Sequence, residues 1–139
     1  MSRTIGIAAL LLLVLGYVGL CDHEFTTSAI RASSPLHATI DRYSPNSKIR
    51  DAILTLIPIG TPRSTVEAEI KTHFSGSPRQ AADLPDTFLD GYRGAPQVCI
   101  RIFDHHDIPA GGDWVEAVFV FDDASRLKEL IIGKYGVYM

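Results

Sequence analysis

The chain is short of cysteine, short of tryptophan and without a strong charge of either sign. Its 139 residues include two cysteines and one tryptophan. Two thiols exclude a disulfide-dense miniprotein and the multi-cysteine zinc modules. Thirteen Lys and Arg stand against sixteen Asp and Glu, a formal net charge of −3. That balance lacks the basic face a nucleic-acid partner requires, so none is expected. No glycine run follows a strand in the phosphate-loop pattern, and no serine sits in an elbow motif. No cofactor is therefore expected. The length suits one domain. An apolar fraction of 46% is too high for a disordered chain.

The apolar residues are unevenly spread. Residues 1–21 hold 15 of them and a single charge, Arg3. The other 118 residues have a net charge of −4 and an ordinary soluble composition. Ile5 to Leu20 is an uncharged run whose densest part is Leu10 to Leu15. Such a run is long for a cleaved export signal, which needs about 7–15 apolar residues. It is short for a spanning helix, which needs about 20. Either reading sends residues 22–139 out of the cytoplasm, because the positive end stays inside. The membrane, reached through this segment, is thus an expected partner. The expected location is the cell envelope, with secretion as the alternative if the leader is removed cleanly. The run ends in Val18-Gly19-Leu20-Cys21, which resembles a bacterial lipobox, although Leu20 stands where that motif has a small residue. Cys21 is the candidate site of lipidation. If it carried two or more acyl chains, it would anchor the chain stably, since each buried methylene contributes about 0.8 kcal/mol.

Three parts are expected: residues 1–21 as signal peptide or membrane anchor, 22–43 as linker, and 44–139 as an α+β domain. Thr26, Thr27, Ser28, Ser33, Ser34 and Pro35 punctuate the linker, with at most a short strand from Leu36 to Ile40. Ser44-Pro45 reads as a helix start, a capping hydroxyl followed by proline. Ile49, Ala52, Ile53, Leu56 and Ile57 then recur at helical spacing. Thr61-Pro62 repeats the start signal before Val66, Ile70 and Phe74. Ser75 to Pro96 is a long connection that Leu84, Phe88, Leu89 and Tyr92 would pin down. Afterwards the period changes to two. Gln97 to Asp104, Trp114 to Asp122 and Arg126 to Tyr135 read as strands, linked by Pro109 to Gly112 and by the Asp122-Asp123-Ala124-Ser125 turn. Short links force antiparallel neighbours. The expected fold is two N-terminal helices packed on a three-stranded antiparallel meander.

Two stretches carry a resemblance. Ile59-Gly60-Thr61-Pro62-Arg63-Ser64-Thr65-Val66 is a glycine-led helix start. Val118-Phe119-Val120-Phe121-Asp122-Asp123-Ala124-Ser125-Arg126-Leu127 is strand, turn and strand. Together with the leader ending in cysteine, they resemble the SmpA/OmlA family of small outer-membrane assembly lipoproteins and the related repeat of β-lactamase inhibitor proteins. The resemblance spans about residues 45–139, with a longer Ser75–Pro96 loop than that family shows. It implies an α+β fold and an envelope location. In the inhibitor relatives the concave sheet face binds the target.

Chemistry has few footholds. Asp104-His105-His106-Asp107 pairs metal-ligand residue types, but neighbours in a strand point to opposite faces. These four are weak metal candidates, and a small metal-binding protein or hydrolase built on them is an alternative function. The placement of apolar residues says more. If Glu116 faces water, then Trp114, Val118 and Val120 do too, while Val115, Ala117, Phe119 and Phe121 face the helices. Arg101 similarly turns Cys99 and Phe103 outward. A sheet covered on one side should be polar on the other. Trp114, Phe103, Val118 and Val120 are therefore candidate binding residues, to be covered by the long loop, by a partner protein of the envelope or by a second copy of the chain. The expected function is an exported, membrane-tethered binding or assembly module without catalysis, with a secreted inhibitor-like module as another alternative.

Overall fold

The computed structural model describes residues 24–80, 95–107 and 111–138. Its elements are β1 (Glu24–Ser28), α1 (Leu36–Thr39), α2 (Asn46–Leu56), α3 (Arg63–His73), β2 (Arg79–Gln80), β3 (Gln97–Asp107), β4 (Gly111–Phe121) and β5 (Leu127–Tyr138). The class is α+β. Two helices on a three-stranded meander is not the architecture. The sheet runs β1-β3-β4-β5, with β2 also paired to β3, and all pairings are antiparallel. The meander is extended at its β3 edge by two short strands lying end to end, and a third helical segment is added.

Both additions draw on chain that lacks local periodicity. The segment expected as a linker is part of the domain from Glu24 onward. Its first strand is held by register with β3, from Glu24↔Asp107 to Ser28↔Phe103. Ile30, Leu36 and Ile40 are buried in the main core. The strand expected at Leu36–Ile40 is a helical turn. Pro35 sits in helical geometry, and the Leu36 and His37 N–H groups donate to the Ser34 side chain and carbonyl. Arg31 ties this segment to the end of α3. Its N–H donates to the His73 carbonyl, and its Nε donates to the Lys71 and Phe74 carbonyls. Three otherwise orphaned carbonyls at a helix C-terminus are thereby satisfied.

The long helices follow the apolar stripes, with Ile49, Ile53, Val66 and Ile70 buried. Each begins just after its proline, and neither has a side-chain cap. The Ser44 hydroxyl donates to Asp41 Oδ1 instead, closing the turn ahead of α2. Strand β5 is a sheet edge, and α2 covers it: Asn46 Nδ2 donates to the Ile132 carbonyl and Arg50 Nε to the Leu130 carbonyl. Gly60, at φ +89°, lets the chain double back so that its N–H reaches the Leu127 carbonyl. These contacts occupy edge groups that would otherwise invite another strand.

The faces of β4 are as the alternation implies: Val115, Ala117, Phe119 and Phe121 enter the main core. Strand β3 departs from simple alternation. The register passes from Arg101↔Glu116 to Phe103↔Val115, leaving Ile102 as an extra residue. This bulge puts Ile102 and Phe103 together in the helix-side core, with Phe103 only 5% exposed. Phe103 is therefore not on the outer face. After the bulge the parity is reversed, so Asp104 pairs with Trp114 and His106 with Gly112. Among the described residues, no helix is long and apolar enough to cross a membrane.

Candidate functional site on the outer sheet face

The face turned away from the helices is organised in bands by strand register. Nearest the β4–β5 turn lies an apolar band of Cys99, Val118 and Val120, with Ala95 and Ile131 packed against it. All three of the former are buried, Val118 and Val120 at 0% and 1% exposed. The two valines are thus in a second small core and offer no open surface. The Cys99 thiol donates to the Arg79 carbonyl. Leu84, Phe88, Leu89 and Tyr92, expected to pin the long loop, lie outside the described residues, as does Cys21.

The middle band is ionic. Glu116, expected to face water, has a side chain only 2% exposed. Its Oε1 accepts from Arg79 Nη2 and, at 3.5 Å, from Arg101 Nε. Oε2 is buried without a hydrogen-bond partner among the described residues. The geometry explains how a carboxylate survives there: β2 pairs Arg79 with Cys99, and Arg101 lies directly across from Glu116. Two guanidiniums at the rim, 37% and 35% exposed, offset the desolvation of one carboxylate.

The third band is polar and aromatic. Arg101 Nη1 donates to Asp104 Oδ2 at 2.9 Å, and its guanidinium lies 4.8 Å over the Trp114 ring. Trp114 stacks on Tyr135 across β4 and β5, with centroids 5.5 Å apart. His106, 58% exposed, has its Nε2 3.3 Å from Asp104 Oδ1. Burial, and then the Glu116 carboxylate, push the Tyr135 hydroxyl up to about 12. Beside this band, where β1 ends, is a cavity of about 150 Å³ lined by Thr27, Ala29, Arg101, Ile102, Phe103 and Asp104.

The four metal candidates are not brought together. Asp104 and His106 share the outer face, but His105 is turned the other way, buried, with its Nδ1 2.8 Å from Thr26 Oγ1. Of Asp107 only the backbone pairing is described, with Glu24 and Gly111. Among the described residues no three His, Cys, Asp or Glu side chains converge. Away from the sheet face, Ser34 Oγ lies 3.0 Å from His73 Nδ1, whose Nε2 is 3.1 Å from Glu69 Oε2. This has the outline of a hydrolytic triad. However, Ser34 is 5% exposed and its hydroxyl oxygen already accepts the Leu36 N–H. The arrangement is a brace between the 31–34 turn and the end of α3.

Sequence reasoning located Trp114 and missed Arg79, Tyr135 and the burial of Glu116. An acidic residue set between Val115 and Ala117 in a strand was the available signal for the last. Nothing local announces Arg79, whose place depends on pairing with a strand 20 residues further on. No family model matches the chain, and no curated protein or solved structure matches it either.

Proposed function

We propose that the chain is an exported, membrane-tethered binding module of the cell envelope that engages a protein partner through the outer sheet face and performs no catalysis. One observation carries the choice of surface: Arg101, Trp114 and Tyr135 form a half-buried stack on the face that no helix among the described residues covers. Trp, Tyr and Arg are the residue types that dominate binding hot spots, because they bring large contact area with few rotatable bonds and a polar edge. Their order here is pre-set by Asp104 and Glu116, which hold the guanidinium on the indole ring. A partner docking on this stack does not have to freeze it first. The tether rests on the uncharged Ile5–Leu20 run and on Cys21.

Two measurements test the proposal. In native envelopes, a photo-cross-linking residue at position 114 should give one discrete adduct, and the same residue at Asp123, in the β4–β5 turn, should give none. Loss of that adduct on Arg101→Glu, with the fold intact by circular dichroism, is the expected control. Equal adducts from both positions, or none from 114, would rule out the face. The intact mass of the native protein reports on the tether: a retained leader or an acylated Cys21 supports it, and a soluble chain without either sinks it.

A further inference from the structure

We infer that the end of the sheet where β1 begins and the β3–β4 hairpin turns is the membrane-facing end of the domain, held against the lipid headgroups by a spacer of at most three residues. This rests on the membrane-tethered reading above. A linker over 22–43 would have let the domain range freely above a bilayer. The fold removes that freedom, because Glu24 is already paired with Asp107 and the strand continues without a break to Ser28. Only Cys21, Asp22 and His23 separate the uncharged run ending at Leu20 from the sheet. Four Cα steps reach at most about 14 Å. The headgroup layer takes up roughly 5–7 Å of that. If Cys21 is itself the acylated residue, the spacer is shorter by one.

The same argument fixes which end is down. Glu24, Asp107, Gly111 and Tyr138 share one level of the sheet by register. The opposite end, at the Asp122–Ser125 turn, is a further ten residues along β4, about 34 Å away. The near end also shows the most exposed large aromatic in the described chain: Tyr43, 75% exposed. Arg42 holds it there, stacked 4.5 Å from the ring and bonded to its hydroxyl, while pairing with Asp113 at 3.2 Å. Lys134 Nζ donates to the Arg42 and Ser44 carbonyls beneath it. An amphipathic ring at headgroup depth is the placement that membrane interfaces favour. Charge at this end does not favour anionic lipid: Arg42 is paired with Asp113, and the backbone register puts two further acidic residues, Glu24 and Asp107, in the end row of the sheet. The surface therefore suits a zwitterionic bilayer, and contact should not depend on anionic lipid.

The test uses the full chain in phosphatidylcholine vesicles with a fraction of headgroup-spin-labelled lipid. Trp114 is the chain's single tryptophan. Two reporters are made on Trp114→Phe: Tyr43→Trp at the near end and Asp123→Trp at the far end. Co-sedimentation is measured first. A chain that fails to sediment with vesicles refutes the tethered reading, and this inference with it. For a chain that does sediment, fluorescence at position 43 should be quenched at least threefold more than at 123, unchanged by 0.5 M salt. Inserting ten Gly/Ser residues between His23 and Glu24 should erase most of the difference. Equal quenching at both positions, or a stronger effect at 123, overturns the orientation while leaving the tether standing.

Discussion

Replacing Glu116 by glutamine tests the ionic band most directly. The change keeps the shape of the side chain and removes its charge, leaving Arg79 and Arg101 facing a neutral amide. Breaking a fully buried pair by removing one partner costs about 3–5 kcal/mol. Here the carboxylate is buried but the guanidiniums are 37% and 35% exposed, so water can re-solvate them. The expected cost is therefore lower, about 1–3 kcal/mol. At a urea dependence of about 2 kcal/mol per molar, the unfolding midpoint should fall by roughly 0.5–1.5 M with the slope unchanged. The two arginines should not share the loss equally. Arg101 keeps Asp104 at 2.9 Å and the Trp114 ring, whereas the only bond described for the Arg79 side chain goes to Glu116. Double-mutant cycles of Glu116→Gln with Arg79→Met and with Arg101→Met measure this. Coupling to Arg79 should exceed coupling to Arg101 by about 0.5 kcal/mol or more. An unshifted midpoint, or the reverse order of couplings, would refute the account of how this carboxylate is buried.

Two glycines separate steric clash from backbone strain. A Cβ at Gly112 would meet the His105 carbonyl at 2.7 Å, so Gly112→Ala should cost about 1–3 kcal/mol. Gly60 has φ +89° and open space around it, so Gly60→Ala should cost only the strain, about 1–2 kcal/mol, read in both cases from thermal unfolding. Ser34→Ala removes the acceptor of the Leu36 N–H and the partner of His73, and should lower stability by about 1–2 kcal/mol without changing any hydrolytic background. Tyr135 should ionise near 12 in an ultraviolet pH titration of the folded protein, above the ordinary value of 10.0. Because its folded value is raised, its stability contribution is fully present below pH 10 and is lost as pH rises through about 12. A Tyr135→Phe variant that leaves the upper titration step in place would contradict the assignment.

How much was legible follows from the range of the interaction that fixes each element. Helices α2 and α3 announce themselves because Ile49, Ile53, Val66 and Ile70 fall at local spacings. The faces of β4 were legible for the same reason, at period two. Strands β1 and β2 have no internal pattern and exist by pairing with β3, some 79 and 20 residues away in sequence. Helix α1 is a single turn set by Pro35 and Ser34, and Leu36, Ala38 and Ile40 happened to mimic a strand. The misplaced face of Phe103 has one cause, the extra residue Ile102. A bulge reverses parity for everything beyond it, so His106 and Asp104 took the face that simple alternation assigned to their neighbours.

The bulge also decides what the outer face can recognise. Without it, Phe103 would stand outside and Asp104 inside, and Arg101 would lose the carboxylate that aims it at Trp114. With it, the apolar part of the face closes over Cys99, Val118 and Val120, and recognition is left to a narrow band of Arg101, Asp104, Trp114, Tyr135 and His106. Five residues fall well short of the 20–30 per side in a standard-size interface, which buries about 1,600 Å². A contact of that size is weak on its own. On the proposed reading, a tether would offset this by confining module and partner to one membrane, where effective concentration replaces contact area. On that reading, a small, pre-ordered polar-aromatic patch and a short spacer would be parts of one arrangement. Lengthening the spacer should weaken capture of the partner even though no residue of the patch is touched.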